Sequence, residues 1–117
     1  MSKSPTTTKS ERKLPPIHPG KILLEDMQDE GISINGLAQA IRVPANRISL
    51  IVNGKRGITA DTAARLGRYF GTSAQYWLNM QNRFDLDSID QAVIERDVIP
   101  AARARDDDRK ALNHFVV

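Results

Sequence analysis

Cysteine is absent from the 117 residues. No disulfide, thiolate metal site or thiol nucleophile is available, so the chain must fold on its apolar core alone, as suits a reducing cytoplasm. Long hydrophobic runs are missing as well. The opening stretch "MSKSPTTTKSERKLPP" lacks the apolar centre of a signal peptide, and no segment is long enough to span a bilayer. A soluble, cytoplasmic protein without membrane contact is expected. The two histidines, His18 and His114, lie far apart with no carboxylates clustered around them, so neither a metal site nor a cofactor is expected. Asp106, Asp107 and Asp108 stand in a polar stretch where solvation accounts for them. With no Ser/His/Asp arrangement and no glycine-rich phosphate loop, the sequence reads as a non-enzyme.

A further shortage is local. Between Ile41 and Ala60 there is no Asp or Glu, while Arg42, Arg47, Lys55 and Arg56 all fall there. The formal net charge of +3 is therefore unevenly spread, with +3 over residues 1–16, +3 over residues 17–84 and −3 over residues 85–117. Within the middle section Glu25, Asp26, Asp29 and Glu30 crowd into "EDMQDE". Such asymmetry points to two faces for two partners, one of them nucleic acid; chance clustering on a solvated surface is the competing explanation.

Sustained two-residue alternation is also lacking, and apolar residues recur instead at helical spacing, which predicts an all-α chain. Residues 1–16, rich in Ser, Thr, Lys and Pro, read as a disordered tail. A first helix is predicted over Pro19 to Glu30, with proline at its start and Gly31 beyond its end. Ser33 can cap a second, in which Ile34, Leu37, Ala38 and Ile41 share a face. Pro44 forces an extended backbone at Val43 and opens a third helix, running to about Val52 and burying Ile48 and Ile51. Thr59 caps a fourth, with Ala63, Leu66, Gly67 and Phe70 inward, stopped by Gly71. Ser73 caps a fifth, carrying Trp77, Met80 and Phe84. Residues 85–117 permit one more helix through Leu86, Ile89 and Val93, ended by Pro100 and followed by a mobile tail. The division is thus a tail (1–16), a helical domain (17–84) and an extension (85–117).

Two short helices joined by a tight turn, the second basic, form the helix-turn-helix pattern, in which the second helix lies in the DNA major groove. With Ile48 and Ile51 inward, the outward set is Ala45, Asn46, Ser49, Leu50 and Asn53, with Arg47 at the flank. Asn46 and Ser49 are the leading base readers, since asparagine pairs with adenine through two hydrogen bonds and serine with several base edges. Arg47 is open to either guanine or phosphate. Lys55 and Arg56 follow in a loop suited to phosphates. A generic amphipathic helix pair is the bland alternative.

The order "HPGKILLEDMQDEGIS", "LAQAIRVPANRIS" and "IVNGKRGITADTAARLGRYFGTSAQYWLNMQ" resembles the HigA-type antitoxins of bacterial toxin–antitoxin modules, a branch of the Cro/repressor-like superfamily, over about residues 17–102. The resemblance implies a five-helix DNA-binding core with a C-terminal helical extension. It implies a homodimer that represses its own operon on double-stranded operator DNA and neutralises a HigB-type ribonuclease toxin. Leu37, Ala38 and Ile41 match its second helix, Pro44 to Asn53 its recognition helix, Asn53 to Thr59 its loop, and Tyr76, Trp77 and Leu78 its fifth helix. Arg42 stands where many superfamily members have glycine, at a turn that needs a positive φ, and it adds a candidate phosphate contact. The base-reading set is then Ala45, Asn46, Arg47, Ser49 and Asn53, and the phosphate set Arg42, Lys55 and Arg56. Trp77, Leu78, Met80 and Phe84 are the candidate dimer interface, Trp77 being equally suited to the core. A basic toxin is expected to meet Glu25, Asp26, Asp29 and Glu30, with the acids of residues 85–97 as the other choice. A stand-alone repressor shares every DNA-facing residue with this reading, while a helical adaptor without DNA binding does not explain the acid-free stretch.

Overall fold

The computed structural model of the chain describes residues 14–101; the tail expected over 1–16, apart from its last three residues, and the stretch 102–117 lie outside them. Six helices follow one another: α1 (Pro19–Glu30), α2 (Ile34–Ile41), α3 (Ala45–Val52), α4 (Ala60–Phe70), α5 (Ala74–Asp87) and α6 (Gln91–Asp97). The described residues contain no strand. The all-α, five-helix architecture with a helical extension is as the sequence predicts.

Hydroxyl caps begin α2, α4 and α5, whereas α3 has no side-chain cap. The Ser33 hydroxyl accepts from the Gly36 N–H at 2.9 Å and the Ser73 hydroxyl from the Tyr76 N–H at 3.0 Å, while Thr59 accepts from the Thr62 N–H, so one orphan donor is satisfied at each N-terminus. The ends repeat one device. Gly31, Arg42 and Gly54 all have positive φ, and the next residue's N–H reaches back to a carbonyl five residues earlier: Ile32 to Met27, Val43 to Ala38, Lys55 to Leu50.

The core joins Leu23 and Met27 of α1, Leu37, Ala38 and Ile41 of α2, Ile48 and Ile51 of α3, Ile58 of the following loop, Ala63 and Leu66 of α4, and Trp77 of α5. Helix α3 packs on both α1 and α2, and α4 packs on α2 and α5. Three boundaries depart from expectation. Pro44 is the extended N-cap of α3 rather than its first helical residue. Helix α5 continues through Phe84 to Asp87, carrying Leu86 with it. Helix α6 ends at Asp97, before Pro100, and buries no residue. Asp90 holds its start through the Ala92 N–H, so local capping rather than core packing keeps this turn helical.

The position of α3 is set by one close approach. A Cβ built on Gly20 would lie 1.8 Å from the Ile51 carbonyl oxygen, so the first turn of α1 touches the last turn of α3 backbone to backbone. Gly20→Ala is therefore expected to destabilise the fold by about 3 kcal/mol or more, since only a shift of one helix can relieve the overlap. Urea denaturation checks this: a midpoint unchanged from wild type would mean that the two helices do not meet as described.

Candidate nucleic-acid interface

Between α2 and α3 the turn is only Arg42, Val43 and Pro44. Arg42 itself takes φ 59° and ψ 51°, so the positive φ suspected from the sequence is borne by an arginine without insertion or rearrangement. A side chain in this region costs about 1–2 kcal/mol. The two capping bonds and the proline that follows hold it there, and its side chain is exposed at the edge of α3.

Along α3, burial of Ile48 and Ile51 turns Asn46 out to solvent, with Ser49 and Leu50 half-buried beside it. Ala45 packs partly against the core and offers at most a methyl group. Asn53 is exposed, but its side-chain amide donates to the Ser49 carbonyl at 2.9 Å. That occupies one of the two hydrogens of its amide nitrogen. Arg47 departs further from the base-reading set. It leaves the flank of α3 toward α4, where Nη1 lies 3.9 Å from Asp61, and its Nε is buried without a hydrogen-bond partner among the described residues.

The loop Gly54 to Ile58 keeps Lys55 and Arg56 exposed beside the end of α3. It is held from behind by a residue that sequence reading passed over. Gln81 of α5 is buried, its Oε1 accepts from the Ile58 N–H at 2.8 Å, and its Nε2 donates to Asp85 Oδ1 at 2.9 Å. Its signal was present: Gln81 stands four residues after Trp77, on the inward stripe of α5, where a polar side chain needs a partner. His18 completes the support. Its Nδ1 accepts from the Gly20 N–H at 2.9 Å, its ring stands edge-on to Phe84 at 4.8 Å, and a backbone hydrogen bond links it to Arg56. The backbone beneath two candidate phosphate ligands is thus tied to both α1 and α5.

The helix-turn-helix family matches residues 23–77, which span α2, the turn and α3. Virulence-associated protein I of Dichelobacter nodosus is 52% identical over 80 residues, covering 68% of this chain and 74% of that protein. An addiction-module antidote protein of the HigA family from Coxiella burnetii superposes with a TM-score of 0.71 at 43% identity, over 74% of this chain and 99% of that one. The Pseudomonas aeruginosa antitoxin HigA, solved with the higBA promoter, gives 0.69 at 46% identity, over 73% and 97%. The chain belongs to the HigA-type helix-turn-helix family.

In this HigA-type chain the remaining candidate residues separate by burial. Trp77 is fully buried, with Nε1 donating to Thr72 Oγ1 at 3.0 Å, and so belongs to the core and offers no surface to a second copy. Of the four residues expected at a dimer interface, Leu78, Met80 and Phe84 stay half-buried, Phe84 against His18. The acids of α1 do come together. Glu25, Asp29 and Glu30 are exposed; Asp26 is partly covered, and burial first, then repulsion from Asp29, Glu25 and Glu30, raises its pKa. Among the described residues no group of metal-ligating side chains forms, and no helix is long and apolar enough to cross a membrane.

Burial lowers the pKa of His18 below 6.5, outweighing the backbone bond to Arg56 and the Asp85 charge, both of which raise it. Its contribution to stability is present above pH 6.5, where the ring is neutral in folded and unfolded chains alike. That contribution is lost as pH falls through the lower folded pKa, because the unfolded state then binds the proton more readily. A proton on Nδ1 also removes the acceptor for Gly20. The expected outcome is a melting temperature that drops as pH falls below about 6.5, with the drop attributable to this site reduced in His18→Asn. An identical profile for the variant would exclude His18 as the cause.

Proposed function

We propose that this chain is an operator-binding autorepressor that also neutralises a ribonuclease toxin. The observation that carries the DNA reading is the coincidence of outward Asn46 and Ser49 with exposed Arg42, Lys55 and Arg56 around one helix, with no acid between residues 41 and 60. A helix with its side chains is about as wide as the major groove, so α3 can enter while its flanking cations meet phosphates on either side. The promoter complex of the Pseudomonas aeruginosa HigA supports the same reading. Two copies, paired through the exposed apolar surface of α5 and the segment after it, would place two α3 helices about one DNA turn apart, roughly 34 Å, on an inverted repeat.

Asn46→Ala is expected to cost about 1–3 kcal/mol on the cognate operator and to relax preference at one base pair. Lys55→Ala should instead weaken every sequence alike and reduce the salt dependence by about one charge. Gel-shift titrations at several salt concentrations measure both, and unchanged affinity in the combined variant would overturn the DNA reading.

For the toxin, the acidic cluster of α1 is the favoured surface. Burial first, and then repulsion from Asp29, Glu25 and Glu30, raises Asp26, and a cationic partner would relieve the repulsive part. Glu25→Lys/Asp29→Lys is expected to abolish co-purification with, and growth rescue from, a basic toxin encoded next to this gene. Asp87→Lys/Glu95→Lys should leave both intact. The second pair avoids Asp90, which caps α6. Full rescue by the first variant would move the contact elsewhere, and failure of wild type to bind any basic neighbour would leave a stand-alone repressor.

A further inference from the structure

We infer that Asp61 acts as an intramolecular stand-in for a DNA phosphate, holding Arg47 at the flank of α3 in the free protein and yielding it when α3 docks. This rests on the reading that α3 binds DNA. Three features of the charge cluster point to it. The Arg47 guanidinium is 3.9 Å from Asp61 Oδ2, near enough for attraction but too far for a hydrogen bond, and its Nε donates to no acceptor among the described residues. Arg47 is therefore positioned but poorly satisfied. Asp61, by contrast, keeps a firm partner when Arg47 leaves, since Arg65 Nε donates to the same oxygen at 2.9 Å. Arg65 is in turn anchored at 2.9 Å to the Ile41 carbonyl at the end of α2, immediately before the turn. Release of Arg47 thus leaves no orphaned carboxylate, while a phosphate supplies the short, well-aligned acceptors that Asp61 does not.

The consequence is a brake on DNA binding. Arg47 contributes in full only once it leaves Asp61, and because Asp61 partly offsets the Arg47 charge, that contact releases less counterion than a free arginine would. The restraint also limits one cation's affinity for arbitrary DNA in a face otherwise built of unopposed positive charge.

The test is a double-mutant cycle with Asp61→Asn, Arg47→Met and both together, titrating operator and unrelated duplex over a range of salt. Asp61→Asn is expected to tighten binding to both duplexes by about two- to fivefold and to steepen the log–log salt slope by up to about 0.9. In the Arg47→Met background, which keeps the side-chain stem, that gain should disappear. Asp61→Ser gives the same readout where Asn impairs folding, checked by urea denaturation. An equal gain with and without Arg47 would show only removal of a negative charge near DNA and would overturn the inference, as would no gain at all. Wild type failing to bind operator would overturn the DNA reading itself, a separate outcome visible before any variant is compared.

Discussion

The backbone contact between Gly20 and Ile51 is the constraint on which the arrangement of the helix-turn-helix depends. Helix α3 is only eight residues long and buries just two of them fully, too little to define its position by apolar packing alone. A side chain at residue 20 would separate the two helices. With glycine, α1 seats against the last turn of α3, and the three residues from Arg42 to Pro44 tie its other end to α2. Helix α3, the one proposed to enter DNA, is therefore pinned at both ends, leaving Asn46 and Ser49 on its open side.

A second layer of support holds the loop that carries the candidate phosphate ligands. The Lys55 and Arg56 side chains are exposed, but the backbone around them is bonded to Gln81 and His18 from two different helices. Phosphate contacts fix register only if their own backbone is fixed. The same His18 also caps α1, so the helix that seats α3 and the loop that follows α3 share one imidazole. Protonation of His18 would remove the acceptor that caps α1, while the bond to Arg56, which favours the charged ring, is kept.

Charge is organised on a similar principle of shared partners. The cations around α3 are opposed by no acid of their own segment, yet Asp61 arrives from the start of α4 and divides its carboxylate between Arg47 and Arg65. At α1 the opposite holds: among the described residues no ion pair engages Glu25, Asp26, Asp29 or Glu30, and burial, then these neighbours, raises the pKa of Asp26.

What the sequence determined by itself was everything governed by neighbours within a turn or two. Helix starts at Ser33, Thr59 and Ser73, stops at Gly31 and Gly71, and the apolar faces of all five core helices follow from spacing and capping chemistry, which act over three or four residues. So does the outward set of α3, because burying Ile48 and Ile51 turns Asn46 outward whatever else the chain does. The weak signal near Leu86 and Ile89 was equally local: Leu86 is 67% exposed and Ile89 43% exposed, and α6 rests on its Asp90 cap. Only the tertiary structure decided matters that depend on partners distant in the chain. It moved Trp77 from a candidate interface to the core, drew Arg47 toward Asp61, and revealed Gln81 bonded to Ile58 from 23 residues away. Periodicity reports that a side chain faces inward or lies at a flank. Which donor meets which acceptor depends on how helices cross, and that is set by contacts such as Gly20 on Ile51 that no local pattern encodes.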